Sequence, residues 1–167
     1  KSGAAGENAV RDENSAVAGT SPYAAAKIAA DEYLRIQQDY GLRVTTLRPF
    51  NTIGRALVRN RHFVVERTIT QALERGAINL HAGRSLRDFM FRDDHVDMYI
   101  RVLDNLEAAV NQVFCVCTGD TWSIEQMARF VAEDVGRRTG RDVPVTFSAA
   151  PDRPLDIPVL QGSHAKA

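Results

Sequence analysis

Apolar and polar positions along the chain change period repeatedly, and each change marks a predicted element. From Pro22 or Tyr23 to about Tyr40 the residues are good helix formers, with Ser21 placed to cap, Pro22 suited to the first turn and Gly41 to stop it. The β-branched run "LRVTTLRPF" predicts a strand from Leu42 to Leu47 or Arg48, closed by a proline. A loop through Gly54 and "RALVRNR" follows, after which helical spacing returns in "FVVERTITQALERG" and again in "DDHVDMYIRVLDNL". "AINLHAG", "RDFMF", "NQVFCVCTG" and "VPVTFS" read as short strands. "SIEQMARFVAEDVGRRTG" reads as a helix, because Ser123 and Gln126 stand at capping-box spacing and Glu125 places negative charge in the first turn. Strands alternating with helices predict an α/β architecture with part of a parallel sheet. The opening "KSGAAGENAVRDENSAVAGTS" holds no steady period and reads as irregular.

Composition narrows the function classes. The 167 residues are 44% hydrophobic and 25% charged, which is enough apolar material for one globular core. Lys plus Arg and Asp plus Glu number 21 each, so no net basic field points to a nucleic-acid partner. No apolar run approaches the roughly 18 residues of a membrane span, and the first ten residues lack the apolar block of a signal peptide, so the expectation is no membrane partner and a cytoplasmic location. Cys115 and Cys117 alternate in "VFCVC", which would turn both to one side of a strand as small buried hydrophobes in a reducing compartment.

Candidate chemistry begins with Tyr23 and Lys27 in "SPYAAAK". A spacing of four stacks the two side chains on one helix face. A phenol with its ordinary pKa of about 10 is a poor base at neutral pH, and a nearby ammonium favours the anion that could accept a proton. Gly3 and Gly6 in "GAAG" follow no predicted strand, so they do not form the glycine-rich turn that meets a dinucleotide pyrophosphate. Asp93, Asp94 and His95 invite a metal reading, but the acids suit a helix N-terminus and no second His or Cys is spaced to complete a site, so no metal is expected.

In order and spacing, "SPYAAAK", "LRPFNTIG", "RDFMFRDDHVDMYIRVLDN", "VFCVCTGDTWSIEQMA" and "RPLDIPVLQGSHAKA" resemble the extended short-chain dehydrogenase/reductase superfamily, and within it the NAD-dependent nucleotide-sugar epimerases and dehydratases. The similarity runs from about Asp12 to Ala167 and corresponds to roughly the second half of a family member. It implies a partial Rossmann-like parallel sheet with helices and a small carboxyl-terminal substrate-binding subdomain. Residues 1–54 would be the carboxyl-terminal part of the dinucleotide-binding fold, and residues 55–167 the mainly substrate-binding portion with returning strands and helices.

The resemblance also implies roles. Tyr23 and Lys27 would be the catalytic pair, Tyr23 taking the sugar hydroxyl proton as hydride leaves for NAD and Lys27 also holding the nicotinamide ribose. Pro49 would border the nicotinamide. Asn51 would contact a nucleotide-diphosphate sugar through an amide that both donates and accepts, and Arg87 and Arg153 would converge on its diphosphate. The third catalytic hydroxyl of the family falls before Lys1 by spacing, and Ser2 is not assigned to it. Ile53 and Arg55 replace a tyrosine and a proline common in the family, His62 and Cys115 each replace an asparagine, and Trp122 reads as a packing residue at a helix entrance. The first helix would pack in a homodimer bundle. Two function classes stay open: a C4-oxidising epimerase or dehydratase, or a nucleotide-sugar-binding or assembly module without catalysis.

Overall fold

The computed structural model describes residues 10–19, 21–55, 63–81, 83–148 and 157–167. Helix α1 (Pro22–Asp39) starts where the Ser21 hydroxyl accepts the Ala24 N–H at 3.1 Å, with Pro22 in the first turn. It ends as the Tyr40 and Gly41 N–H groups turn back onto the Gln37 and Gln38 carbonyls, Gly41 at φ 90°.

Strands β1 (Thr46–Pro49) and β2 (Asn51–Ile53) follow on one run of chain but serve different partners. Strand β1 pairs in parallel with β6 (Val113–Val116), while β2 pairs in parallel with β5 (Phe89–Phe91). The strand expected from Leu42 starts later, because its first ladder partner for Thr46 is Val113, where β6 itself begins. Phe50 is the crossing point, donating its N–H to the Val116 carbonyl at 3.0 Å before the chain changes neighbour.

Helix α2 (Val64–Arg75) stops at Gly76 in the left-handed region, and β3 (Ile78–His81) pairs in parallel with β8 (Val145–Ser148). "RDFMF" is two strands: β4 (Leu86–Arg87) and β5 are separated by Asp88, whose carboxylate is engaged elsewhere. The sequence pattern missed β7 (Trp122–Ser123) and β9 (Val159–Leu160), which flank β4 in a three-stranded sheet, β7 antiparallel and β9 parallel to it. Two residues are too few to display a period.

Helix α3 (Arg92–Asp104) carries Asp93 and Asp94 in its first turn and passes into the short α4 (Leu106–Ala109). Helix α5 (Ile124–Thr139) opens with the capping box read from the sequence: the Ser123 hydroxyl accepts the Gln126 N–H at 3.0 Å, and the Gln126 carbonyl oxygen accepts the Ser123 N–H at 2.8 Å. Its buried face, Ile124, Met127, Ala128, Val131, Ala132 and Val135, meets Ala72 of α2 and Ile78 and Leu80 of β3 to form the core, where Leu80 and Ala128 are fully buried. The expected α/β architecture with parallel pairs is therefore present. No helix among the described residues is long and apolar enough to cross a membrane.

Candidate functional site

Tyr23 and Lys27 share one face of α1, as their spacing requires, with the Lys27 ammonium 5.7 Å from the centre of the Tyr23 ring. Tyr23 is 73% exposed. The helix is tied to β1 by Arg48, which forms a 2.6 Å ion pair with Asp31 on α1 and donates to the Glu13 carbonyl at 3.1 Å. Pro49 lies exposed at the end of β1, two residues before Asn51.

Asn51 is held twice by one acceptor. Its backbone N–H and its side-chain amide both donate to the Asp88 carbonyl, at 3.3 and 2.9 Å, so its carbonyl oxygen is turned away from that contact. Arg87, next in the chain to Asp88, is half-buried and donates one guanidinium N–H to the Leu86 carbonyl at 2.8 Å. Asn51 and Arg87 are thus brought together by a single backbone step. Arg153 and His62 lie outside the described residues.

Asp88 is the residue that sequence reasoning missed. Fully buried, its carboxylate accepts the Thr118 N–H (2.9 Å), the Thr118 hydroxyl (2.7 Å), the Gly119 N–H (2.9 Å) and the Gly162 N–H (3.3 Å). A buried charge is tolerated when every lone pair meets a donor, and here neutral donors from two segments, 118–119 and 162, do this without a cation. The second segment depends on glycine: a side chain at Gly162 would collide with Cys117 and Phe50. The signal was an acid, disfavoured in strands, at the head of the apolar run Phe89–Phe91.

His95 is buried for a structural reason. Its Nδ1 lies 2.9 Å from the Thr52 hydroxyl and its Nε2 3.3 Å from the Val116 carbonyl, which can only accept, so the ring joins α3 to β2 and β6. Cys115 and Cys117 are free and buried, and burial pushes their thiols up to about 11 and about 12. Reactive-thiol chemistry is therefore not what they supply. Trp122 does pack at the entrance of α5, edge-on to Phe130, yet remains 46% exposed.

Comparison with known proteins adds three likenesses of fold. Pal from Bacillus thuringiensis aligns at TM-score 0.81 and 24% identity over 94% of this chain and 49% of that one. A dTDP-glucose 4,6-dehydratase from Streptomyces venezuelae, solved with NAD bound, aligns at TM-score 0.80 and 22% identity over 95% of this chain and 47% of its own. A UDP-glucose 4-epimerase from Thermotoga maritima, solved with UDP-glucose, aligns at TM-score 0.69 and 25% identity over 87% and 45%. The chain spans about half the length of these structures. A sequence profile of the NAD-dependent epimerase/dehydratase family matches residues 2–117, and with the motifs and fold described above this chain belongs to that family.

Proposed function

We propose that the chain supplies the substrate-binding half of an NAD-dependent nucleotide-sugar 4-epimerase or 4,6-dehydratase, with residues 1–54 completing a dinucleotide-binding fold and 55–167 holding the sugar nucleotide. The observation that carries this reading is the exposed Tyr23 with the Lys27 ammonium over its ring, 5.7 Å from the ring centre. The described residues fit the nicotinamide end of the cofactor: Lys27 is an exposed cation able to donate to ribose hydroxyls, and Pro49 exposes a carbonyl-bearing strand end without an N–H. Bound NAD supplies a hydride acceptor for the sugar C4. Tyr23 accepts the proton of the C4 hydroxyl at its phenolic oxygen, Lys27 stabilises the anion that accepts it, Asn51 orients the sugar nucleotide, and Arg87 with Arg153 neutralises the diphosphate. The exposed Tyr33 and Ile36 on α1 support pairing of this helix with a second copy.

One observation favours a second reading, a module that binds the sugar nucleotide without catalysis. Asn51 is tied to the backbone carbonyl of the buried Asp88, whereas α1 buries none of its residues. Thermal unfolding of the full chain with UDP-glucose or dTDP-glucose, with and without NAD, separates the two. Under the enzymatic reading both ligands raise the midpoint, Arg87→Ala removes the sugar-nucleotide effect, and Tyr23→Phe keeps binding while C4 oxidation is lost. A response to the sugar nucleotide alone leaves the module. No response to either sugar nucleotide overturns both.

A further inference from the structure

The chain changes sheets between β1 and β2, and a buried imidazole spans the place where it does so. Strand β1 ends at Pro49 against β6, and β2 begins at Asn51 against β5, so within two residues the chain leaves one parallel ladder for another. His95, on α3 and only 4% exposed, reaches both sides of the step. Its Nδ1 lies 2.9 Å from the hydroxyl of Thr52, the residue after Asn51. Its Nε2 lies 3.3 Å from the Val116 carbonyl, which also takes the N–H of Phe50, the residue before Asn51, at 3.0 Å. One ring is thereby linked to both chain neighbours of Asn51, directly at Thr52 and through the shared carbonyl on the Phe50 side.

Successive side chains of a strand project to opposite faces. With the Thr52 side chain drawn to His95, the Asn51 side chain leaves on the other face, where its amide donates to the Asp88 carbonyl at 2.9 Å. Sliding β2 by one residue would exchange the two faces. A buried polar group left without its partner is costly, so the contact between Thr52 and His95 resists that slip. We propose that His95 is a positioning residue for Asn51: with Thr52 it fixes the register of β2, and so holds the Asn51 amide where a sugar nucleotide meets its carbonyl oxygen. This rests on the sugar-nucleotide reading above and adds what sets the amide in place. Buried between α3, β2 and β6, His95 acts through Thr52 and Val116 and not on the ligand.

Thr52→Val keeps a β-branched, strand-forming side chain and removes the hydroxyl alone, and His95→Gln, which keeps a donor, is its complement. In a proton–nitrogen correlation spectrum of the full chain, the Asn51 side-chain amide should shift and exchange faster in both variants, while the backbone amides of the α5–β3 core keep their places. By calorimetry each variant should weaken UDP-glucose about fivefold. In an Asn51→Ala background the same changes should cost about twofold or less, because no amide is left to place. A merely structural role would lower the urea midpoint yet leave the Asn51 amide signals and the affinity of the folded chain as they were. If UDP-glucose binds the parent chain, and whichever variant folds leaves the Asn51 amide in place or weakens binding equally with and without Asn51, the positioning role is wrong and the sugar-nucleotide reading stands. If the parent chain does not bind UDP-glucose, the positioning role and the reading beneath it fall together.

Discussion

The α2–β3–α5–β8 region and the α1–β1–β6 region are built from similar elements but close differently. In the first, one face of α5 is sealed against α2 and β3, and Ala72, Ile78, Leu80 and Ala128 are at most 1% exposed. In the second, the 18-residue α1 buries nothing, Tyr33 is 61% and Tyr40 81% exposed, and an open groove of about 510 Å³ runs between β1 and the α3–α4 segment, lined by Leu47, Tyr99, Val102, Leu103, Leu106 and Val110. Parallel sheets are ordinarily covered on both faces, because their crossovers lay helices there. The difference teaches that the proposed proton-transfer pair stands outside the sealed core, on a helix held by its cap and an ion pair.

The largest test of that contrast is a pair of truncations. Leu80→Ala should cost about 2–5 kcal/mol in urea unfolding, since it opens a cavity in a sealed core. Tyr33→Ala on α1 should cost about 0.5 kcal/mol or less, as an exposed site does. Equal losses would erase the distinction between the two regions.

Next in size, Asp88→Ala should destabilise by about 2–4 kcal/mol, because it leaves the Thr118, Gly119 and Gly162 N–H groups without their acceptor. The loop 118–119 and segment 162 should then exchange amide protons faster, while the α5–β3 core keeps its protection. A variant with unchanged exchange at those amides contradicts the bracing role.

The buried thiols supply a pH dependence confined to the β6 end. Their pKa values are raised in the folded chain, so the folded state binds more protons than the unfolded one above pH 9, and stability present at and below that pH is lost as it rises toward about 11 and 12. Below that range both thiols should resist iodoacetamide until the chain unfolds. Rapid alkylation of the native protein at pH 8 would show that β6 opens on its own.

The smallest effects belong to α1. Ser21→Ala removes the cap and Arg48→Ala the tether to Asp31, each at about 1 kcal/mol. Both should appear as faster hydrogen exchange within Pro22–Asp39 and leave the global unfolding midpoint nearly unmoved. A matching fall in the midpoint would mean that α1 is part of the cooperative core after all.

Local chemistry was legible wherever cause and effect lie within a few residues. The cap at Ser21, the stop at Gly41, the box at Ser123 and Gln126, and the common face of Tyr23 and Lys27 all follow from one-turn spacings, and the structure bears them out. The pairings of β4 and the function of Asp88 were not legible, since each joins residues 30 or more positions apart through strands too short to carry a pattern.

The caps of α1 and α5 and the common face of Tyr23 and Lys27 were therefore set by sequence alone, because helical hydrogen bonds and side-chain stacking act between near neighbours. Only the tertiary structure decided that β1 and β2 part company at Phe50, that the buried Asp88 carboxylate ties segments 118–119 and 162 to β4, and that Trp122 pairs opposite Arg87. Those outcomes depend on which distant strand supplies the facing backbone groups, a choice settled by burial and donor matching across the whole molecule rather than along it.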